Sequence, residues 1–342
     1  MEFPFIHFRK DGRVRISHPS PGTMRKATAI IKSGGIIAFP TETVYGLGAD
    51  AFNPLAVARI FEAKSRPLFD PLIVHIADLS QINLLAAGID KRAGRLAGRF
   101  WPGPLTLVLP RHERVPGIVT AGLDTVAVRM PDHLIALDLI KRSGTPIAAP
   151  SANRFGYISP TKAAHVLEQL GDRVDMIIDG GNCSVGVEST IIRLTDERNV
   201  ILRPGGIPVE EIEAIIGPVE VVPETATASE APGRLLSHYS PSVPVQLADS
   251  LREIDFSSTG AGFLLFRRPD FDVPLERTEI LSVDGDLNEA AANLFSSLHR
   301  LDGMGLRIII AEPVPERGLG IAIMDRLRRA ARKKPGEPGN VS

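Results

Sequence analysis

The sequence predicts an α/β protein of two domains. Short apolar runs alternate along the 342 residues with longer segments that carry apolar residues at helical spacing, as in layered α/β folds. The alternation continues to about Gly217 and resumes near Val243. Between them, the segment 220–241 is small, polar and poor in core-forming residues, as linkers are. We therefore expect a first domain over 1–217, a linker over 218–242, a second domain over 243–334 and a flexible tail over 335–342.

The first domain opens with a polar lead-in that has room for one short strand. A helix is expected over 21–33, because Gly34 and Gly35 favour a helix end there. Further strands are expected at 36–39, 72–76, 105–109, 126–130, 146–149 and 176–179. Further helices are expected at 54–63, 79–99, 134–143, 161–170 and 210–216, and the runs 189–194 and 200–203 are typical of a hairpin.

The second domain repeats this alternation on a smaller scale. Strands are expected at 243–248, 261–266, 279–283 and 306–311, and helices at 286–302 and 320–334. The run 306–311 is strongly apolar, as buried parallel strands are. The basic run 326–334 is interpreted first as a solvated helix face and second as a weak contact with RNA.

Composition narrows the classes of protein to consider. The net charge of −1 argues against nucleic-acid binding over a large surface, which requires a clear basic excess. The one cysteine, Cys183, excludes an intrachain disulfide and a cysteine-built metal cage, and its default role is structural. The N-terminus lacks the apolar core of a signal peptide, and no apolar run approaches the ~20 residues that cross a bilayer. We expect a cytoplasmic protein with no membrane contact.

The sequence lacks the loops that usually cradle phosphate groups. Walker and dinucleotide-binding glycine motifs do not occur, and neither does a nucleophile elbow or zinc-ligand spacing. A nucleotide would therefore be held by cationic and hydroxyl side chains at strand ends. Lys64 and Arg66 follow the helix at 54–63, and in an extended segment residues two apart point the same way, toward one polyanion. The alternative is a pair of solvated cations after a helix end.

Other polar side chains end predicted strands, and each has a structural alternative. Ser151 and Asn153 offer neutral donors after the strand at 146–149, or they form an ordinary turn. Arg129 closes a strand and carries the planar fork that pairs with a ligand carboxylate, or it forms an internal salt bridge. His75 lies on an apolar strand, where a hydrogen-bonded core histidine is the commoner outcome.

Taken in order, the motifs of the chain resemble those of one family. The matching words are FPTETVYGLGADA (39–51), KSRP (64–67), PLIVHIAD (71–78), WPGPLTLVL (101–109), TAGLDTVAVRMPDH (120–133), PIAAPSAN (146–153), SPTKA (159–163), GVESTII (186–192), ILRPGGI (201–207), HYSP (238–241) and PERGLGIAIMDRLRRA (315–330). They resemble the long, two-domain form of threonylcarbamoyl-AMP synthase, which is built on a YrdC-like domain. The resemblance covers nearly the whole chain.

The resemblance implies a fold and a reaction. The fold is a twisted mixed-sheet YrdC-like domain with a concave active-site face, a smaller Rossmann-like C-terminal domain, and a linker that crosses the site. The reaction joins L-threonine, bicarbonate and ATP, with help from Mg²⁺, to give threonylcarbamoyl-AMP and pyrophosphate. A tRNA threonylcarbamoyl transferase complex would then modify the adenosine beside the anticodon, and a weak contact with tRNA itself is implied.

The resemblance also implies roles for individual residues. Lys64 and Arg66 would be the catalytic cations at the phosphates. The further nucleotide contacts that it implies are Asp70, Thr125, Ser151, Asn153, Ser159 and Arg203. The threonine contacts that it implies are Thr43, His75, Arg129, Ala149 and Ser189. Metal ligands stay unknown.

Two positions depart from the family pattern. Asp70 stands where the family has asparagine, and a carboxylate near phosphates is unfavourable unless it faces Mg²⁺ or turns away. Leu236 stands where the family has a tyrosine that lies on the nucleotide. Our hypothesis is that Arg234 compensates by contacting phosphate.

Two other functions compete with this one. A carbamoyl-adenylate-forming enzyme would resemble the YrdC-like part of hydrogenase maturation proteins, but the one cysteine excludes the zinc fingers of those proteins. A non-catalytic RNA-binding protein would use the concave face, and the near-zero net charge argues against it.

Overall fold

The computed structural model describes residues 16–222, 239–248 and 260–332. Over these residues the chain forms an eleven-stranded mixed sheet and then a four-stranded parallel sheet, and helices pack against both. The expected α/β fold, with a large mixed sheet and a smaller C-terminal domain, is therefore confirmed. No helix among the described residues has the length and apolar character needed to cross a bilayer.

The large sheet takes its strands from the first two-thirds of the chain. In chain order they are β1 (Ile16–Ser17), β2 (Ile37–Phe39), β3 (Gly46–Asp50), β4 (Ile73–His75), β5 (Leu105–Pro110), β6 (Thr125–Arg129), β7 (Ile147–Ala148), β8 (Met176–Ile178), β9 (Thr190–Leu194), β10 (Asn199–Arg203) and β11 (Glu220–Val221). Their order across the sheet is β1-β8-β2-β3-β7-β4-β6-β5-β9-β10-β11. The hairpin of β9 and β10 is confirmed, and β11 pairs with β10, so the sheet extends into the segment expected to be linker.

Helices of the first domain follow the expected pattern, except that the helix expected over 79–99 is divided and a short helix over 117–120 was not expected. They are α1 (Pro21–Lys32), α2 (Pro54–Lys64), α3 (Ile82–Leu85), α4 (Lys91–Phe100), α5 (Gly117–Thr120), α6 (Leu134–Ser143), α7 (Ala163–Leu170) and α8 (Val209–Ile216). The prediction of one helix over 79–99 is wrong. Asp90 begins a separate helix there, because its carboxylate accepts a hydrogen bond from the Arg92 N–H at 2.6 Å and caps α4.

The boundaries of α2 decide where two predicted cations lie. Its N-cap is Asn53, whose side chain accepts hydrogen bonds from two N–H groups of the first turn. The helix runs through Lys64 and ends at Ser65, which adopts the left-handed conformation at φ 52°. Lys64 is therefore the last residue of a helix, and the expected extended backbone over 64–66 is wrong.

The strand β3 is one that the sequence pattern does not predict, because its residues GLGAD include few strand formers. Gly48 is required at its position: a Cβ there would lie 2.6 Å from ring carbon Cε1 of Phe39 and 2.6 Å from Cγ2 of Ile147. Close packing between neighbouring strands therefore selects glycine inside a strand.

The second domain has a sheet in which every pair of neighbours is parallel. Its elements are β12 (Val245–Leu247), β13 (Ala261–Leu265), β14 (Thr278–Ile280), α9 (Leu287–Asp302), β15 (Ile308–Ala311) and α10 (Gly320–Ala331). The strand order is β12-β15-β13-β14. The strands and helices expected for this domain are confirmed within their described residues.

The two domains share one hydrophobic cluster. Val44, Ile158 and Val187 of the first domain belong to the same buried cluster as Phe295 of α9. Gly186 lets the backbones meet, because a Cβ there would lie 2.4 Å from the Ala291 carbonyl oxygen. The second domain is thus packed directly on the segment that precedes β9.

This packing corrects the interpretation of the basic run 326–334 as a solvated face. Arg326 is 0% exposed and Arg329 is 3% exposed, whereas Arg328 between them is only partly buried. One face of α10 lies against the rest of the protein, so two of its arginines are internal.

Candidate active site

One cavity brings most of the predicted site residues together. It contains about 540 Å³ of empty space, open solvent at its mouth included. Three predicted nucleotide contacts line it, namely Arg66, Ser151 and Arg203. All five predicted threonine contacts line it, namely Thr43, His75, Arg129, Ala149 and Ser189. After the contacts predicted for them, we call the part around Thr43, His75 and Arg129 the amino-acid side, and the part around Arg66, Ser151 and Arg203 the phosphate side.

Arg129 is the centre of the amino-acid side. It closes β6 and is 3% exposed. Its Nη2 lies 2.5 Å from Glu42 Oε1, its Nη1 donates to Thr43 Oγ1 at 2.9 Å, and its Nε donates to the Gly103 carbonyl at 3.3 Å. A guanidinium carries five N–H groups, so donors remain for a ligand. Because Glu42 neutralises Arg129, a carboxylate would be recognised by directed hydrogen bonds rather than by net charge.

Hydroxyl groups beside Arg129 are fixed by their neighbours. Thr41 Oγ1 lies 2.8 Å from Thr43 Oγ1 and donates to the Val44 carbonyl at 2.6 Å, which holds the loop between β2 and β3. Ser189 Oγ lies 2.7 Å from Thr106 Oγ1 of β5. These fixed hydroxyls give the cavity a polar lining of defined geometry.

His75 is a neutral group in this cavity. Burial lowers the pKa of its imidazole to about 3, and the nearby Arg129 acts in the same direction. Its ring meets Phe39 edge to face, with the centroids 6.3 Å apart. His75 at neutral pH is therefore an uncharged polar side chain, and it combines a core position with a place in the cavity wall.

Arg66 lies on the phosphate side, and its guanidinium is paired with an acidic side chain. It is 7% exposed, its Nη2 lies 2.9 Å from Asp70 Oδ2, and the same nitrogen donates to the Pro71 carbonyl at 2.8 Å. Burial lowers the pKa of the Arg66 guanidinium, and Asp70 partly offsets that effect. The acidic residue that departs from the family pattern thus turns toward Arg66 as its ion-pair partner.

Lys64 lies behind the phosphate side rather than in its wall. Its Nζ donates to the Ser151 carbonyl at 2.6 Å and to the Asn153 carbonyl at 2.5 Å. Burial, and then the neighbouring Arg66, lower the pKa of the Lys64 ammonium well below its ordinary value. Lys64 therefore holds the loop after β7 in place, and through it Ser151.

Glu188 and Tyr239 line the cavity although neither was among the predicted site residues. Ser159, a predicted nucleotide contact, lies just behind and donates its Oγ proton to Glu188 Oε1 at 2.6 Å. Both residues occur inside motifs that carry the family resemblance, GVESTII and HYSP. The signal was therefore present, but the neighbouring hydroxyl and basic residues were considered in place of these two.

Two other predicted residues, Asn153 and Thr125, are described but do not line the cavity. Asn153 is bound to Lys64. Thr125 begins β6, four residues from Arg129, which places it about 13 Å away along the strand. Arg234 lies outside the described residues, as does Leu236.

The chemistry available in the cavity is positioning and charge neutralisation. Burial raises the pKa of the Cys183 thiol, which is therefore protonated at neutral pH and unsuited to nucleophilic attack. Among residues 16–222, 239–248 and 260–332, no cluster of three His, Cys, Asp or Glu side chains is arranged to hold a metal ion. Fixed arginines and hydroxyls are the groups that phosphoryl transfer requires.

Comparison with known proteins identifies the family. A family model described as "Telomere recombination" matches residues 29–205, and one described as "Threonylcarbamoyl-AMP synthase, C-terminal domain" matches residues 207–332. The chain belongs to the threonylcarbamoyl-AMP synthase family. It has the two-domain architecture of that family and is a nucleotidyltransferase.

Individual relatives are similar along almost the whole chain. Threonylcarbamoyl-AMP synthase of Pyrococcus abyssi is 47% identical, over 90% of this chain and 94% of that protein. The Bacillus subtilis enzyme of the same name is 45% identical, over 90% of this chain and 92% of that protein. The crystal structure of P. abyssi Sua5 complexed with L-threonine has a TM-score of 0.86 and 46% identity, and covers 93% of this chain and 97% of that one.

Proposed function

We propose that the cavity binds L-threonine, bicarbonate and ATP together and converts them into threonylcarbamoyl-AMP and pyrophosphate. The observation that carries this proposal is the convergence of Arg129 with Arg66 and Arg203 in one cavity. An amino-acid carboxylate and a triphosphate both need such cations, and one cavity supplies all three arginines. The product would serve the modification of tRNA adenosine beside the anticodon.

On the amino-acid side, Arg129 would receive the threonine carboxylate on its remaining N–H groups. Thr43 and Ser189 would meet the polar groups of threonine, and neutral His75 would neither repel its ammonium nor add charge. Ala149 lines the same part of the cavity, where its small side chain leaves room for the substrate. A pocket that hydrogen-bonds the threonine hydroxyl discriminates strongly against analogues without it.

On the phosphate side, positioning would supply most of the rate. The threonine amine adds to carbon dioxide with loss of a proton, or to bicarbonate with loss of water, and gives a carbamate. A carbamate oxygen then attacks the α-phosphorus while pyrophosphate leaves. Arg66 and Arg203 would neutralise the developing charge, and Ser151 would bind the nucleotide. Each such fixed donor is worth about 3 kcal/mol of the barrier. Lys64 would act through the loop that it holds.

Mg²⁺ would arrive with ATP as the counter-ion of the triphosphate. Magnesium in such sites is held mainly by phosphates, waters and one or two carboxylates. The described residues offer no three-residue cluster for it, and Asp70 is paired with Arg66. The described residues therefore suit a Mg²⁺ ion that enters bound to ATP better than one held permanently by the protein. The cytoplasmic location, the transferase complex and the weak contact with tRNA stay part of this proposal.

Pyrophosphate release tests the proposed function. The purified protein receives ATP, Mg²⁺ and bicarbonate, with L-threonine, with L-valine or with no amino acid. Valine has the shape of threonine without the hydroxyl, so we expect release with threonine and less than one-hundredth of it with valine. Release with carbamoyl phosphate instead of threonine would indicate the carbamoyl-adenylate reaction. No release, with tight RNA binding, would indicate the non-catalytic function.

A further inference from the structure

The second domain inserts one arginine behind the cavity wall. Arg326 of α10 is 0% exposed and donates its Nε to Glu188 Oε2 at 2.9 Å. Its Nη1 donates to the carbonyl of Pro204, the residue after β10, at 2.8 Å. Its guanidinium carbon lies 5.2 Å from the ring centroid of Tyr239. One side chain of the second domain thus touches three segments of the cavity surroundings.

Glu188 is the group on which this contact acts. It lines the cavity and is 6% exposed. One of its oxygens accepts from Ser159 Oγ at 2.6 Å and the other accepts from Arg326. Without a cation, this carboxylate would be a buried negative charge facing a cavity that must accept a triphosphate.

The charges behind the wall alternate and cancel. Glu188 pairs with Arg326, Arg326 also pairs with Asp325 at 2.7 Å, and Asp325 pairs with Arg329 at 3.0 Å. Burial alone would lower the pKa of the Arg326 guanidinium, but Tyr239, Glu188 and Asp325 together raise it above its ordinary value. Arg326 is therefore charged, and its removal would leave this network with one uncompensated negative charge.

We propose that Arg326 is a positioning residue for the phosphate side: it neutralises Glu188 and holds it against Ser159, so that ATP can bind beside a carboxylate. The second domain would thereby complete the nucleotide part of the site rather than only stabilise the fold. His299 of α9 contacts the same wall, because its Nε2 lies 3.2 Å from the Ser159 carbonyl oxygen. This inference rests on the proposed binding of ATP in the cavity.

The test compares a substitution that removes the positive charge of Arg326 with one that removes the negative charge of Glu188. R326M should raise the KM for ATP at least tenfold and leave the KM for threonine within twofold. E188Q keeps an acceptor for Ser159 and removes the negative charge from the wall, while Arg326 stays paired with Asp325. The KM for ATP should therefore stay unchanged or fall. The double variant R326M/E188Q removes both charges, and its KM for ATP should return to within threefold of the unsubstituted protein. R328M, on the same helix but paired with Glu316 near the surface, is the matched control.

The outcomes separate positioning from general stability. A purely structural role would change both Michaelis constants in R326M, and adding E188Q would not restore ATP binding. Either result overturns the inference, as does an R326M variant that behaves like R328M. If R326M does not fold, R326K replaces it in the same comparison and should show a smaller rise in the KM for ATP. Pyrophosphate release by the unsubstituted protein tests the underlying function separately.

Discussion

The amino-acid side of the cavity is built within one domain, whereas the wall that carries Glu188 is held by both. Arg129, Glu42 and Thr43 all come from the large sheet and its loops. Glu188 is bonded to Ser159 of the first domain and to Arg326 of the second. The two parts of one cavity therefore depend on different amounts of the chain.

This difference indicates what the second domain contributes. On the amino-acid side, Arg129 at the end of β6 is bonded to Glu42 and Thr43 in the loop between β2 and β3, so these partners all lie in the first domain. On the other wall, Glu188 forms its ion pair with Arg326 of α10, in the second domain. The predictions that follow would break or sharpen this contrast, beginning with the largest effect.

Removing Arg129 should damage the amino-acid side alone. R129Q loses the donors for the threonine carboxylate and leaves Glu42 as a buried, unpaired charge. We expect kcat/KM for threonine to fall about a hundredfold, equivalent to about 3 kcal/mol, with the KM for ATP changed less than threefold. Steady-state pyrophosphate release measures both. R142M, which breaks the exposed pair with Asp138, is the control and should change neither. An equal rise in both Michaelis constants would mean that the two sides are not separable.

Acid should weaken the contact between the domains. His165 and His299 stack across it with ring centroids 3.7 Å apart, and burial lowers the pKa of His165 to about 2 and of His299 to about 4. A histidine with a lowered folded pKa favours the neutral form, so its stabilisation is complete above pH 6.5 and is lost as the pH falls toward 4. Between pH 6.5 and pH 4.5, each histidine should therefore lower the free energy of unfolding by about 2 kcal/mol.

Urea unfolding at the two pH values checks this expectation. In H299Q the loss of unfolding free energy over that interval should be smaller by about 2 kcal/mol, because glutamine does not titrate and can still donate to the Ser159 carbonyl. H18Q, which replaces an exposed histidine, is measured beside it as the control. An unchanged slope in H299Q would show that the stacked pair does not govern the acid response.

Replacing Lys64 should damage the phosphate side from behind. K64M leaves the Ser151 and Asn153 carbonyls without their buried donor, so the loop after β7 should shift. We expect the KM for ATP to rise about tenfold, equivalent to about 1.4 kcal/mol, and the KM for threonine to stay within twofold. The exposed Lys141 supplies the control, K141M. A loss of kcat with normal binding of ATP would instead make Lys64 a catalytic cation.

Replacing Asp70 by asparagine should give the smallest effect. D70N restores the residue type of the family and removes the carboxylate that pairs with Arg66. The freed cation should lower the KM for ATP two- to threefold, because more positive charge then faces the phosphates. A higher KM for ATP would show that Asp70 supports the nucleotide directly, for example through Mg²⁺. Assays at two Mg²⁺ concentrations distinguish these cases.

The sequence predicted the elements whose signals are local. Helix α2 has Asn53 as its cap, the β9–β10 hairpin has the expected alternation, and Arg129 does end a strand. The amino-acid side follows from these elements, because its side chains lie at strand ends or in the loops beside them. The split of the helix expected at 79–99 was also marked locally, by Asp90, but the apolar spacing hid it.

The rest depends on contacts between distant segments, which spacing does not encode. The left-handed Ser65 ends α2 directly after Lys64, so the segment 64–66 is not extended as its spacing suggested. Arg326 looked like part of a solvated basic face, yet it is buried against Glu188, 138 residues earlier in the chain. Strand β3 was missed because glycine is selected there by the nearby Phe39 ring.

A crystal structure of the protein with L-threonine and a non-hydrolysable ATP analogue tests the central claim most directly. The account predicts the threonine carboxylate within about 3 Å of an Arg129 nitrogen, and a phosphate oxygen equally close to Arg66 or Arg203, both inside the one cavity. Threonine bound on another surface, or phosphates bound away from both arginines, would contradict it.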